Sequence, residues 1–148
     1  MLENKEIQAI IGVRFPFLFV DKVLELAPGT RAVAIKNFTA NEWFFQGHLP
    51  GHPLVPGVLI IETLAQSALL TLFSVPENKG KGAAFSGVDK FQFRRPVLPG
   101  DTLRMEVQFV RSQGVFQTFS ATASVEGKVA ASGQLTMAVT EKGVPITP

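Results

Sequence analysis

The chain has 148 residues, a common length for one compact domain, and a single domain over residues 1–148 is expected. Apolar residues make up 46% of the chain and charged residues 18%, a composition that supports a buried core and excludes an intrinsically disordered chain. The formal net charge of +2 is too small a basic excess for a broad nucleic-acid surface, so no nucleic-acid partner is expected.

The absence of cysteine excludes disulfides, thiolate zinc sites, iron–sulfur clusters and a cysteine nucleophile. Residues 1–11 are charged and have no long apolar run, so they do not resemble a secretory signal, and a cytoplasmic protein is expected. The run from Val58 to Val75 is apolar, but Glu62 and Gln66 stand near its centre, where lipid would penalise a charge. This run therefore predicts a buried helix rather than a membrane span.

The first half of the chain contains a short helix, two strands and an unusual loop. Apolar residues spaced along 4–11 predict an amphipathic helix, and residues 17–26 and 31–38 have strand character on either side of a Pro-Gly turn. Residues 38–56 combine aromatic side chains with repeated glycine and proline, which is incompatible with regular structure. A packed functional loop is expected there, because loops of this length in small domains usually carry function.

The second half contains one long helix followed by strands. The helix is predicted from Gly57 to Ser74, after Pro56 and before Pro76, and it is apolar on nearly every side. One long apolar helix and an antiparallel sheet form an α+β layer arrangement, in which the sheet wraps around the helix. Strands are predicted over 83–93, 102–111, 115–125 and 128–140, the last three joined by tight turns, and residues 141–148 are expected to be loose.

The stretch between Glu42 and Glu77 contains only three ionisable side chains, namely His48, His52 and Glu62. An unpaired carboxylate is costly to bury, and such a group raises its pKa instead. Glu62 is therefore either satisfied by a neighbour such as Gln66, one helical turn on, or kept as an acid for chemistry. His48 alone suits a loop histidine that caps backbone groups, but together with Glu62 it suggests a general base and a general acid.

Other chemistries are less well supported. His48 and His52 have the spacing of metal ligands on a helix, but Pro50 and Gly51 lie between them and no third ligand stands out, so no metal is expected. The chain has no G-x-S-x-G motif and no G-x-G-x-x-G motif after a strand, so neither a serine hydrolase nor a nicotinamide or flavin cofactor is indicated. The N–H of Gly57, at the helix start, suits either an oxyanion or simple capping by water.

Three segments carry a resemblance to a known family. Residues 41–66, NEWFFQGHLPGHPLVPGVLIIETLAQ, resemble the active-site segment of the beta-hydroxyacyl-acyl-carrier-protein dehydratases of the FabZ type. Arg14–Leu18 with Val20-Asp21 resembles the N-terminal signature of that family, and residues 89–97 with Pro99-Gly100-Asp101 resemble its second signature. The resemblance extends from residue 14 to residue 140.

The resemblance implies a hot-dog fold and an assembly of homodimers with joined sheets, often as trimers of dimers. It implies that His48 and Glu62 are the catalytic pair, with Glu62 supplied by the partner subunit. It also implies that the Gly57 N–H meets the thioester carbonyl and that Gln66 orients the acid. The expected reaction is dehydration of a 3-hydroxyacyl chain on acyl carrier protein to the trans-2-enoyl thioester in fatty acid biosynthesis, without a cofactor.

Several features qualify this expectation. Candidate basic residues for the carrier protein are Lys90, Arg94, Arg95 and Arg104, although charges on strands and turns are often simply solvated. A hot-dog acyl thioesterase and a non-catalytic acyl-binding subunit are the alternative functions. The chain has no tyrosine, and it departs from the family pattern at Val13, Phe15, Trp43, Leu49 and His52.

Overall fold

The computed structural model describes residues 1–142, so the expected loose segment 141–148 lies almost entirely outside the described residues. Within this range the chain forms two α-helices and one six-stranded antiparallel sheet with the strand order β1-β2-β4-β5-β6-β3. In chain order the elements are α1 (Asn4–Ile10), β1 (Lys22–Ala27), β2 (Arg31–Asn37), α2 (Gly57–Phe73), β3 (Gly82–Phe93), β4 (Thr102–Gln113), β5 (Phe116–Val125) and β6 (Lys128–Thr140).

Helix α2 is the central element, and the predicted long helix is confirmed to within one residue. Most of its side chains are buried, in agreement with a sequence that is apolar on nearly every side. Its buried hydroxyls are satisfied within the helix: Thr63 Oγ1 donates to the Ile60 carbonyl at 2.7 Å, and Ser67 Oγ donates to the Thr63 carbonyl at 2.9 Å. In residues 1–142, no helix has the length and apolar character needed to cross a membrane.

The sheet wraps around α2, which confirms the α+β prediction and the hot-dog arrangement that the resemblance implies. Strands β2, β4 and β5 carry most of the sheet side of the core, with fully buried residues such as Ala34, Met105 and Phe119 facing the helix layer. Strands β4, β5 and β6 form the predicted antiparallel meander, and β3 joins it at the outer edge by pairing with β6. The apolar layer between sheet and helix is the main source of stability.

The prediction of a strand over 17–26 is wrong in its first half, because β1 begins only at Lys22. In the preceding segment, the backbone groups of Phe17 and Phe19 bind a side chain instead of a neighbouring strand, and the Asp21 N–H donates to the Ile35 carbonyl of β2 at 2.9 Å. The Phe19 N–H donates to Gln66 Oε1 at 2.8 Å, and Gln66 Nε2 donates to the Phe17 carbonyl at 2.8 Å. Gln66 thus takes the place of a strand partner and ties this segment to α2.

The predicted loop over 38–56 is confirmed as irregular, but it contains a short 3₁₀ helix, Trp43–Gln46, that was not predicted. Phe44 and Phe45 point into the core, and the Phe44 ring lies edge-on to Phe38 with centroids 6.0 Å apart. These aromatic contacts anchor the loop, which explains how a segment rich in glycine and proline is held in one conformation.

A bulge in β3 shapes the edge of the sheet near the start of α2. Lys90 has a positive φ of 53°, and the register between β3 and β6 shifts between Asp89 and Gln92. The bulge turns the Phe91 ring onto Gly133 of β6, where an added Cβ would lie 2.2 Å from a ring carbon and 2.8 Å from the Phe91 Cα. Further along β3, the Phe93 ring covers Gly57.

Gly133→Ala should destabilise the protein by about 1–3 kcal/mol, since the new methyl group collides with backbone as well as ring atoms. The matched change Gly87→Ala, in the same β3–β6 ladder, meets only Thr136 Cβ at 3.8 Å and should alter stability by less than about 0.5 kcal/mol. Urea denaturation of both variants measures the difference. Equal stability of the two variants would contradict the packing of Phe91 on Gly133.

Candidate active site

His48 lies on a loop whose two ends are hydrogen-bonded to each other. The carbonyl of Phe44, in the 3₁₀ helix, accepts the N–H groups of Gly47 at 3.2 Å and His48 at 2.9 Å. Six residues on, the Leu54 N–H donates to the His48 carbonyl at 3.2 Å. The Val55 N–H then donates to the Val97 carbonyl at 2.8 Å, which attaches the end of the loop to the segment after β3.

The imidazole of His48 is held in one orientation and one tautomer. Its Nδ1 lies 2.9 Å from the Leu54 carbonyl oxygen, which can only accept a hydrogen bond. Nδ1 therefore carries the proton, and in the neutral ring the Nε2 lone pair is free to accept one. The expected capping role and a role as general base are thus compatible, because they use different nitrogen atoms.

The half-buried His48 side chain lines a cavity of about 390 Å³ at the start of α2. The walls are almost entirely apolar, as suits a hydrocarbon chain. Within residues 1–142, the lining of this cavity does not include Glu62. The lining consists of Trp43, Phe44, Gly47, His48, Pro56, Val58 and Leu59.

Glu62 lies one turn before Gln66 on α2, and the structure brings these two side chains together. Gln66 is fully buried, and its Nε2 donates to Glu62 Oε1 at 2.9 Å as well as to the Phe17 carbonyl. The amide therefore fixes one carboxyl oxygen of Glu62. The sequence left open whether Gln66 binds Glu62, and the structure shows that it does.

Burial raises the pKa of Glu62 above its ordinary value, and the hydrogen bond from Gln66 opposes this rise to a smaller extent. The carboxyl group thus retains its proton to a higher pH than an exposed glutamate. A protonated carboxyl can give a proton to a leaving group, as a general acid must.

Gly57 begins α2, and its N–H has no acceptor among residues 1–142. The first N–H groups of a helix point away from its body, and the helix dipole adds partial positive charge there. An added Cβ at this position would lie 3.0 Å from the Phe93 ring, so the ring would have to shift by a few tenths of an ångström. The glycine therefore lets an aromatic ring cover the helix start.

His52 takes no part in this arrangement, because its side chain is exposed at the tip of the loop. No group of three or more potential metal ligands is assembled in the described part of the chain.

Comparison with known proteins agrees with these features. The family model of the FabA-like domain matches residues 12–134. A 3-hydroxyacyl-[acyl-carrier-protein] dehydratase FabZ of Acetivibrio thermocellus is 52% identical over 139 residues, covering 94% of this chain and 95% of that protein. The proteins of the same name from Roseiflexus castenholzii and Bacillus cereus are 51% and 47% identical and cover 94% and 96% of this chain, and 97% and 99% of their own lengths.

This chain belongs to the FabZ-type dehydratase family.

Solved structures show the same fold at much lower sequence identity. The dehydratase heterocomplex ApeI:P from Xenorhabdus doucetiae has a TM-score of 0.78 at 15% identity, covering 92% of this FabZ-type chain and 91% of the other. The protein Cj0977 from Campylobacter jejuni has a TM-score of 0.72 at 14% identity, covering 95% and 92% of the two chains. At such low identity these structures support the fold alone.

Sequence reasoning missed two parts of the FabZ-type site. The Leu54 carbonyl, which sets the His48 tautomer, is a backbone group and leaves no mark on residue identity. The contacts of the Phe17–Phe19 backbone with Gln66 were also missed, although the resemblance had already singled out that segment. The available signal was the family signature over Arg14–Leu18 and Val20-Asp21, which overlaps the segment predicted as a strand.

Glu62→Gln should raise the melting temperature at pH 8 and have little effect at pH 4. The folded wild type binds the Glu62 proton more tightly than the unfolded chain, so it loses stability as the pH rises from the unfolded pKa of about 4.3 through the raised folded pKa. Glutamine keeps the acceptor for Gln66 and removes that loss. The same substitution at the exposed Glu77 is the control, and thermal denaturation across this pH range is the measurement. A melting-temperature difference that does not grow with pH would contradict the proposed cause.

Proposed function

We propose that this FabZ-type chain is a 3-hydroxyacyl-acyl-carrier-protein dehydratase, which converts its substrate to the trans-2-enoyl thioester in fatty acid biosynthesis. The observation that carries the proposal is that His48 and Glu62 lie in surroundings that suit a base and an acid, respectively. His48 presents a free Nε2 to an apolar cavity, while Gln66 holds Glu62, whose burial favours its protonated form. An elimination of water needs this combination of a base and an acid.

The proposed reaction uses three groups in sequence. The thioester makes the α-hydrogen of the substrate acidic, and His48 Nε2 removes it as a proton. Negative charge then grows on the thioester oxygen, where the Gly57 N–H and the helix dipole stabilise it. Glu62 gives its proton to the 3-hydroxyl group, the carbon–oxygen bond breaks, and water leaves as the double bond forms. Transfer of the proton from His48 back to Glu62 resets the pair.

We propose that each site combines His48 of one subunit with Glu62 of another. Support comes from the single chain, in which the cavity beside His48 is lined without Glu62. Val58, on the same wall, is 73% exposed, an unusual value for a valine on an otherwise buried helix. A second subunit over this opening would cover Val58 and bring a carboxyl group to the cavity.

The exposed edge of β3 supports a homodimer with joined sheets. This strand has twelve residues and none of them is buried, although Phe85, Val88 and Phe93 are apolar. It pairs with β6 on one side only, so its other side presents free backbone groups. Pairing with β3 of a second copy would satisfy them, and three such dimers would form the expected trimer of dimers. Sedimentation velocity distinguishes the dimer from the hexamer.

Acyl carrier protein is the proposed partner, and its phosphate and acidic surface require cations near the site. Lys90, Arg94 and Arg95 are exposed at the end of β3, next to Phe93 and hence to the start of α2. Arg104 is a weaker candidate, because its guanidinium pairs with Glu106 at 3.0 Å on β4.

Three broader expectations belong to the same proposal. They are a single domain over residues 1–148, a cytoplasmic location and a reaction that needs no cofactor. Limited proteolysis tests the single domain, and fractionation of cells that express the tagged chain tests the location. Assays in the presence of a chelator test whether the reaction needs a metal cofactor.

His48→Ala and Glu62→Gln should each lower the rate of enoyl formation by about 10²- to 10⁴-fold, since each removes one partner of the proton transfer. The control His52→Gln changes the other histidine, which is exposed, and should stay within about 2-fold of the wild type. The assay follows enoyl absorbance and free thiol on 3-hydroxyacyl thioesters of several chain lengths. Thiol release without enoyl absorbance would indicate a thioesterase, and turnover that survives both substitutions would place the chemistry elsewhere.

Mixed dimers of His48→Ala and Glu62→Gln subunits should regain about one quarter of the wild-type activity, because random pairing then restores one intact site in half of the dimers. Refolding the two inactive variants together from denaturant produces them, and refolding each alone is the control. If base and acid come from the same chain, mixing restores nothing.

A further inference from the structure

Lys36, at the end of β2, is the buried charged side chain that the proposed chemistry leaves unused. It is 7% exposed, although lysine is among the residue types that proteins bury least. We propose that Lys36 is a positioning residue for both reacting groups, tying the loop that carries His48 to the segment that orients Glu62. This inference rests on the proposed dehydration, but part of its test does not.

The ammonium group of Lys36 contacts two carboxylates from different parts of the chain. Its Nζ lies 3.2 Å from Glu42 Oε1 and 3.2 Å from Asp21 Oδ2, and it also donates to the Asn37 carbonyl at 2.8 Å. Below it, the Phe38 ring centroid is 5.4 Å away, close enough for a cation–π contact. All three N–H donors of the Lys36 ammonium group are thus used, and these contacts fix its position.

One branch of this cluster leads to His48. Glu42 immediately precedes the 3₁₀ helix Trp43–Gln46, and its carbonyl accepts the Phe45 N–H at 3.3 Å. The Phe44 carbonyl of the same helix accepts the His48 N–H. Holding Glu42 therefore holds the start of a short, continuously hydrogen-bonded path that ends at the backbone of His48.

The other branch leads to Glu62. Asp21 lies two residues after Phe19, directly before β1, and its Oδ2 also accepts the Asn37 N–H at 2.6 Å. Phe19 in turn binds Gln66, which donates to Glu62. If Glu62 serves the partner's histidine, each Lys36 positions the base of one site and the acid of the other.

Stability alone is a poor explanation for this cluster. Removing a charged pair from water costs about as much as the pair returns, and an apolar replacement of similar volume is often no less stable. Catalysis, in contrast, is sensitive to small displacements, because a shift of about 1 Å can lower a rate by about 100-fold. A geometric role therefore accounts better for a lysine in this place.

The test compares Lys36→Met with the matched control Lys22→Met. Lys22 is also a strand lysine in an ion pair, with its Nζ 2.9 Å from Glu3 Oε1, and this pair includes neither Asp21 nor Glu42. We expect Lys36→Met to lower kcat by about 10- to 100-fold with KM within about 3-fold, and Lys22→Met to keep both constants within about 2-fold. The double variant Lys36→Met/Glu42→Gln removes the carboxylate left unpaired, so its melting temperature should recover while its kcat does not.

A spectroscopic measurement observes His48 without any substrate. The chain has two histidines, so long-range ¹H–¹⁵N correlation of the imidazoles gives two ring patterns, and His52→Gln assigns them. The wild type should show His48 with its proton on Nδ1. Lys36→Met should shift this pattern toward a mixture of tautomers, and Lys22→Met should leave it unchanged.

Mixed dimers separate the two branches. Lys36→Met is placed either in the Glu62→Gln subunit, which supplies His48 to the intact site, or in the His48→Ala subunit, which supplies Glu62. Both hybrids should be slower than the unmodified hybrid. An unaffected rate in either one overturns the claim that Lys36 serves both groups.

The proposal is overturned if Lys36→Met keeps the wild-type kcat and His48 pattern, or if the double variant recovers kcat together with its melting temperature. If Lys36→Met does not fold, Glu42→Ala alone removes the acceptor of the His48 branch and should lower kcat by about 3- to 10-fold; an unchanged kcat then overturns the proposal. A wild type that forms no enoyl product contradicts the proposed function instead, and the imidazole measurement still decides whether Lys36 positions His48.

Discussion

The buried side-chain amide of Gln66 connects the fold of this protein to its proposed chemistry. One amide accepts the Phe19 N–H, donates to the Phe17 carbonyl and donates to the Glu62 carboxyl. A buried polar group without a hydrogen bond costs free energy. Loss of the Gln66 amide would therefore remove all three hydrogen bonds at once. The same atoms that attach the segment before β1 to the central helix therefore also fix the orientation of the proposed acid.

The surroundings of His48 and Glu62 suit these two ordinary side chains to the different roles proposed for them. Burial raises the pKa of Glu62, so the carboxyl can hold a proton for transfer. The Leu54 carbonyl keeps the His48 proton on Nδ1, which leaves Nε2 open. Neither effect requires a cofactor or an unusual residue, because one comes from desolvation and the other from a single backbone hydrogen bond.

Charged groups lie around this site rather than within its cavity. The cavity beside His48 is lined by apolar groups and the imidazole itself, and none of the ion-paired residues Lys36, Asp21 and Glu42 belongs to that lining. A hydrocarbon chain can thus be bound in apolar surroundings while ionic contacts act on the loop from outside. The ion pairs can therefore position the loop while the lining of the cavity stays apolar.

The central helix, the meander and the α+β class could be predicted from the amino-acid sequence, because they depend on local periodicity. The spacing of one helical turn offered Gln66 as a partner for Glu62 but left the alternative of an unpaired acid open. The motif around His48 likewise identified the family from residue identities alone. Three features became visible only in the folded chain: residues 17–21 are not a strand, Leu54 sets the His48 tautomer, and Lys36 joins Asp21 to Glu42. Those features depend on atoms distant in sequence or on backbone groups, and no local pattern of side chains encodes where such atoms meet.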